Sequence, residues 1–369
     1  MFNIHLKRVR CVRCKQALKI VNTFTNGKIL SIPNYLVECN CFEYPVISGI
    51  LYLKPNKVCQ AACESLKRDD DSYVIKRLWH ARKLITVALI LIFPPHFINN
   101  LFTQLLKKPV YRYIGFKNVI KLLRWFTFPK AWCSYLVNRD CMPSYFLSLT
   151  TINLLHNTRS TVCDIGCGVG QLLSEFSRKA KPGNIYGIDK SFINLFLARL
   201  FWVPDNVLLI CLDVNSGLPF ADKSISLQTC NDGFYSIVNQ TLLLKEIARV
   251  ASRKGIIAFT HVLNNKNIEH GNAHGLNPNH LRRTLTKFGF NFIEVLSNEK
   301  LWKYLLNKDF SKQIISDSSK ILKSNYAYNL FATKSKKLLS IKLNRQQYLK
   351  LDDTRLDYRL DMPLLRVMT

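Results

Sequence analysis

Through the middle of the chain, short apolar runs alternate with amphipathic ones, and each apolar run stops at a polar or acidic residue. Val162 to Ile165 leads into glycines at alternate positions, Gly166, Gly168 and Gly170, and QLLSEF then opens with helical periodicity. Asn184 to Lys190 reads as a second strand ending in Asp189, and Val207 to Leu212 as a third ending in Asp213. Ile225 to Thr229 reads as a fourth, followed by Cys230, Asn231 and Asp232. A helix over Gln240–Val250 precedes a fifth strand, Gly255 to Thr260, which ends at His261. Asn277 and Pro278 then mark the start of a helix that Gly289 stops. Phe290–Val295 reads as a strand after it, and Tyr326–Thr333 looks like one more. Alternation at this length predicts an α/β fold, a Rossmann-like sheet with helices on both faces and ligands at the carboxyl ends of the strands.

Glycine suits the first turn because it tolerates positive φ and lets backbone approach a ligand, while the helix behind it offers unpaired N–H groups. An acidic residue about 20 positions further on, here Asp189, is placed to accept hydrogen bonds from ribose hydroxyls. In order and spacing, DIGCGVG, GIDKS, CLDVNSGLPFADKSISL and LLKEIARVASRKGIIAFTHV resemble the successive motifs of class I S-adenosylmethionine-dependent methyltransferases of the small-molecule type. The resemblance spans Ser160 to Val295. A nicotinamide-binding domain expects G-x-G-x-x-G, whereas this turn reads G-x-G-x-G.

The resemblance implies that Asp164 and the run Gly166, Cys167, Gly168 to Gly170 cradle the methionine part of the cofactor. Asp189, with Lys190 beside it, would hold the ribose, Asp213 and Val214 would border the adenine, and Asn231 would lie under the sulfonium. Ser226 stands where the family usually has an acidic residue. His261, at a strand end, is the candidate general base because imidazole titrates near neutrality; His270 and His274 are weaker candidates.

Ahead of this region Cys11 and Cys14 form a C-x-x-C pair, and Cys39 and Cys41 a C-x-C pair. Two such pairs can supply four thiolates to a tetrahedral zinc ion, and a segment of this length is too short to fold on a hydrophobic core alone. The stretch resembles the zinc ribbon that precedes the methyltransferase domain in some bacterial relatives. It departs from that pattern in lacking the first knuckle's Pro and Gly, and Cys59 and Cys63 offer substitute thiols.

The expected organisation is a zinc-ribbon-like module over residues 1–56, a helical cap or linker over 57–150, the methyltransferase domain over 151–335 and a basic tail over 336–369. Leu84 to Phe93 is almost wholly apolar but spans only ten residues before two prolines, against about 20 for a membrane span. A buried helix and an interfacial membrane anchor both remain open there. Lys117, Lys121 and Arg124 share one face of a basic amphipathic helix.

Charge and cysteine usage bear on partners and compartment. The net charge is +29 and the excess runs along the whole chain, which suits nucleic acid or an anionic membrane surface; a biased composition explains it equally. Twelve cysteines and an N-terminus without a signal-peptide core point to a reducing, cytoplasmic setting, with or without attachment at the membrane periphery. Asn231-Asp232-Gly233-Phe234 lacks the Asn/Asp-Pro-Pro-aromatic clamp used on nucleobase amines. The expected activity is therefore methyl transfer to a small-molecule or lipid-like acceptor, ahead of a ribosomal RNA guanine or a non-catalytic binding role.

Overall fold

The computed structural model describes residues 6–24, 32–68, 70, 78, 115–125, 129–139, 142–155, 159–181, 184–264, 275–298 and 327–335. The apolar run 84–93, His270, His274 and the tail beyond residue 335 lie outside them. The chain divides into two compact units. One comprises Met1–Arg139, Cys167–Ser177 and Ile185–Ala221; the other comprises Asp140–Gly166, Arg178–Asn184 and Asp222–Thr369. These bounds cut across the division expected from the sequence.

In the first unit, β1 (Lys19–Phe24), β2 (Asn34–Cys39) and β3 (Phe42–Ile47) form an antiparallel ribbon. Ser48 and Gly49, both at positive φ, turn the chain into β4 (Ile50–Tyr52), the conformation that two-residue hairpins favour. β4 then pairs in parallel with β7 (Leu208–Cys211), which pairs in parallel with β6 (Ile185–Asp189). The cysteine-bearing ribbon is thus the continuation of the sheet on which Asp189 stands. Helix α1 (Lys57–Lys67) starts where the Asn56 side chain accepts the Cys59 N–H, and it lays Cys59, Ala62, Cys63 and Leu66 against the ribbon. α2 (Phe116–Trp125) and α3 (Lys130–Asn138) pack on each other. α2 exposes Lys121 and Arg124 and buries Val119, Ile120 and Leu123, and Phe116 meets the rings of Phe201 and Trp202 edge-on. α5 (Gln171–Lys179) follows the glycine turn and α6 (Phe192–Phe201) follows β6 in the chain.

The second unit orders its strands β5 (Val162–Ile165), β8 (Ile225–Asn231), β9 (Ala251–Leu263), β11 (Ala327–Thr333) and β10 (Phe292–Ser297). The first three are parallel and the last two antiparallel to their neighbours. All seven strands expected after Val162 are present among the described residues. β9 is longer than expected and runs through His261 to Leu263. α4 (Pro143–Leu149) packs on β8 and β9, and α8 (Pro278–Lys287) packs on α7 (Gln240–Val250) and β11. Asn277 caps α8 by accepting the Asn279 N–H, with Pro278 in the first turn, as its sequence predicts. Where the acidic residue is replaced by Ser226, the backbone N–H groups of Ser226 and Leu227 both donate to Thr161 O at 2.9 Å.

Candidate functional site

The first unit carries the glycine turn from Cys167 onward and the strand ends at Asp189 and Asp213. Asp189, 9% exposed at the end of β6, accepts from Gly168 N at 2.9 Å through Oδ2 and from Ser191 N at 2.7 Å through Oδ1. Burial raises its carboxyl above the usual range, and these backbone donors, Asn194 and Lys190 oppose that rise. The alternating glycines differ in role. Gly168 is at φ +54° and a Cβ there would meet nothing within 4 Å, as at Gly166. A Cβ on Gly170 would stand 2.4 Å from Val203 Cγ2 and 2.9 Å from Ala198 Cβ, so this glycine lets the loop press on α6. Gly187 serves the same end under α5, 2.3 Å from Leu173 Cδ1 and 3.0 Å from Cys167 Sγ. Gln171, in the first turn of α5, has its Nε2 buried and without a hydrogen-bond partner.

Asp213 caps a single 3-10 turn, Val214–Ser216, and its Oδ1 accepts from Asn215 N at 3.0 Å and Asn215 Nδ2 at 2.8 Å. Val214 is buried beside it. Lys190 is exposed, and its carbonyl oxygen accepts from the Lys54 ammonium and from Cys211 Sγ. Lys54, just past β4, was not legible as a site residue, because nothing in its neighbourhood of sequence points 136 residues ahead.

The four cysteines of the ribbon gather, with all four Sγ atoms within 4.8 Å of one another. Cys11 and Cys14 sit on a tight turn where Lys15 N donates to Cys11 O and Lys15 takes φ +59°, the position glycine fills in the commoner knuckle. Burial pushes the Cys11 thiol up, but Tyr44 Oη at 3.2 Å and backbone donors outweigh it and bring the group down to about 6. Cys59 and Cys63 stand apart from this cluster, and their thiols face Glu43 O at 3.6 and 3.7 Å.

In the second unit, the strand ends of β5, β8 and β9 are joined by side chains. Thr260 Oγ1 donates to Asn231 Oδ1 at 2.7 Å, and Asn231 Nδ2 donates to Asp164 Oδ1 at 3.1 Å. Thr229 Oγ1 also donates to Asp164 Oδ1, at 2.6 Å. Cys230 is fully buried; burial first, then the charges of Asp164 and Asp232, push its thiol up, which removes it as a thiolate nucleophile.

Asp232 and His261 are both at positive φ, +52° and +54°, a strain that surrounding contacts must hold. Between β11 and β9 the register slips at Tyr328/Leu330, and His261 falls in the resulting bulge, which re-aims its side chain. Its Nε2 stands 3.9 Å from Asp232 Oδ1, with the two side chains 14% and 8% exposed. Asp232 Oδ2 accepts from Ser144 Oγ at 3.1 Å, and Oδ1 from Tyr235 Oη at 3.4 Å. Ser144, Asn298 and Asn329, which complete this cluster, carry no motif that singles them out in the sequence.

Residues 163–259 match the family described as Methyltransferase domain. Over 127 residues the chain is 31% identical to the bifunctional methionine biosynthesis protein MetXA/MetW of Rhodopirellula baltica, covering 32% of this chain. The chain spans about a fifth of that relative's length, 20%. Among solved structures it is similar to a complex between the Haloferax volcanii Trm112 methyltransferase activator and a methyltransferase. That match has 18% identity and a TM-score of 0.45, and covers 55% of this chain and 94% of that one. It is also similar to an S-adenosylmethionine-dependent methyltransferase from Mesorhizobium loti, at 14% identity and a TM-score of 0.42, covering 53% of this chain and 99% of that one.

Proposed function

We propose that the chain transfers a methyl group from S-adenosylmethionine to a small-molecule or lipid-like acceptor, a reading supported by the match of residues 163–259 to the methyltransferase-domain family. The observation that carries the cofactor reading is Asp189. It is a buried carboxylate held by the N–H of Gly168, where a Cβ would meet open space. The group fits the residues present. A sulfonium cation bearing an ammonium and a carboxylate wants carboxylates and backbone donors, and Gln171 Nε2 is a buried donor still to be satisfied. Asp189 would take the ribose hydroxyls, Asp213 and Val214 would border the base, and Gly168 would let backbone come close. Asp164, Gly166 and Asn231 of the second unit are assigned by the same sequence motifs. The bound cofactor supplies an activated methyl group, so the protein's task is alignment and exclusion of water.

A structural zinc ion on Cys11, Cys14, Cys39 and Cys41 belongs to the same proposal, supported by four convergent sulfurs. Among the described residues no helix is long and apolar enough to cross a membrane.

The test uses purified full-length chain, S-adenosylmethionine labelled on its methyl group, and host lysate separated afterwards into RNA, protein, lipid and small-metabolite fractions. Label in the lipid or metabolite fraction is expected. Label confined to ribonuclease-sensitive material would move the acceptor to RNA. A chain that does not bind the cofactor in equilibrium dialysis would end the proposal.

A further inference from the structure

The side of α8 that faces solvent is basic. Leu281 and Leu285 are its inward, fully buried residues, and the helix packs on α7 and β11. On the other side His280, Arg282, Arg283 and Lys287 are exposed, and with Thr284 and Thr286 they line a cavity of about 500 Å³. Thr284 Oγ1 donates to His280 O and Thr286 Oγ1 to Arg282 O, each at 3.0 Å, so both hydroxyl hydrogens are used within the helix. The donors left for a ligand are two guanidinium groups, one ammonium and one imidazole.

No counter-charge meets these groups. α8 itself contains no acidic residue. Glu246 on the neighbouring α7, together with Asp222, is taken by Arg249 at 2.7 Å. Among the described residues no carboxylate pairs with Arg282, Arg283 or Lys287. Arg283 and Lys287 stand one turn apart, and like charges at that spacing destabilise a helix. Packing does not call for them, because the buried positions of α8 are Leu281 and Leu285. A bound anion would remove the repulsion. A guanidinium is a planar fork matched to two oxygens of one phosphate, and two forks beside an ammonium suit a group that concentrates two or more negative charges. A phosphodiester strand spreads one charge per nucleotide, and single-strand binders add aromatic side chains for the bases to stack on. Among the described residues no aromatic lines this cavity. We propose that α8 carries a binding site for a phosphomonoester or diphosphate group, borne by a lipid headgroup or by a soluble phosphorylated compound. Arg282 and Arg283 grip the phosphate oxygens, Lys287 adds its charge from the next turn, and His280 donates from the turn before. Binding there needs neither S-adenosylmethionine nor methyl transfer.

The full chain is titrated calorimetrically with inorganic pyrophosphate and, separately, sedimented with phosphatidylcholine vesicles containing phosphatidic acid. Sulfate, duplex RNA and phosphatidylglycerol vesicles of matched surface charge are the comparators. Pyrophosphate or the phosphatidic acid vesicles should bind in preference to these. Arg282→Ala, Arg283→Ala and Lys287→Ala combined should weaken that binding roughly 10-fold or more. All three side chains are exposed, and thermal melting checks that the variant is folded. Removing the same charge elsewhere, by Lys19→Ala, Lys121→Ala and Lys254→Ala combined, should leave binding as in the wild type. Binding to the phosphatidic acid vesicles assigns the site to a lipid headgroup, and pyrophosphate binding without vesicle binding assigns it to a soluble compound. No binding of either probe overturns the site. So does binding no tighter than that of sulfate, phosphatidylglycerol or RNA, or an equal loss in the two triple variants. Equilibrium dialysis of S-adenosylmethionine against the same proteins reads the methyl-transfer proposal separately, and the α8 variant should bind the cofactor as the wild type does.

Discussion

Arg199 donates from Nη2 to the carbonyl oxygen of Gly49, 150 residues earlier in the chain, at 3.2 Å. The same guanidinium closes the end of α6 through Val203 O, Pro204 O and Val207 O. It is fully buried, and that burial brings it down to about 10, so it is still charged at neutral pH. The turn between β3 and β4 is thereby tied to the helix that follows Asp189.

Arg199→Leu should destabilise the protein by about 3 kcal/mol, because it leaves several buried carbonyl oxygens without a donor. Thermal melting of the full chain reads this. A variant that melts with the wild type would show that the Gly49 turn needs no such tie.

Asp189→Ala should weaken S-adenosylmethionine binding about 10- to 100-fold, the range for a charge-assisted hydrogen bond. The fold should persist by circular dichroism. Because burial raises this carboxyl, its native form protonates at a higher pH than an ordinary aspartate does. Cofactor affinity should therefore begin to fall on acidification before the usual carboxylate range is reached. Its ionisation correspondingly opposes folding as pH rises past the unfolded value. Calorimetric titration across pH separates the two effects.

Two glycines of one loop should fail differently. Gly170→Ala places a methyl against Val203 and should lower the melting temperature. Gly168→Ala meets open space and should spare packing relative to Gly170→Ala, while filling room beside Asp189 and reducing cofactor affinity. Melting and binding curves measured on both variants check the contrast, which would fail if the two lost stability and affinity in step.

Chelation should release one zinc per chain, and Cys14→Ser should abolish its binding. In the metal-free protein Cys11 is lowered to about 6 from 9.0, so folding favours its ionised form. That contribution is present above pH 9 and is lost as pH falls toward 6. Metal-free protein should thus melt higher at pH 8.5 than at pH 6. The reverse order would mean that the Tyr44 contact does not hold in solution.

The strand ends were legible because each apolar run stops at a residue that cannot be buried cheaply, and the motifs fixed their order. Gly168, Asp189 and Asp213 lie where the sequence puts them, at the glycine turn and at two strand ends. What was hidden is long-range or conformational. The pairing of Ile50–Tyr52 with Leu208–Cys211 has no local signature, and three apolar residues read the same in a separate module. His261 was expected at the end of a strand. Instead the strand continues past it, and a one-residue slip opposite Asn329 turns its side chain, which periodicity does not encode.

The pairing of β4 with β7 also sets an order of events during synthesis. The ribbon leaves the ribosome early, but the strand that covers its last edge emerges roughly 150 residues later. At about 5–20 residues per second that is a wait of around 10–30 s. Throughout it an apolar strand edge stands open to any passing chain. The nascent protein should be most dependent on chaperones in that interval, and a ribosome stalled between residues 60 and 200 should carry an aggregation-prone product.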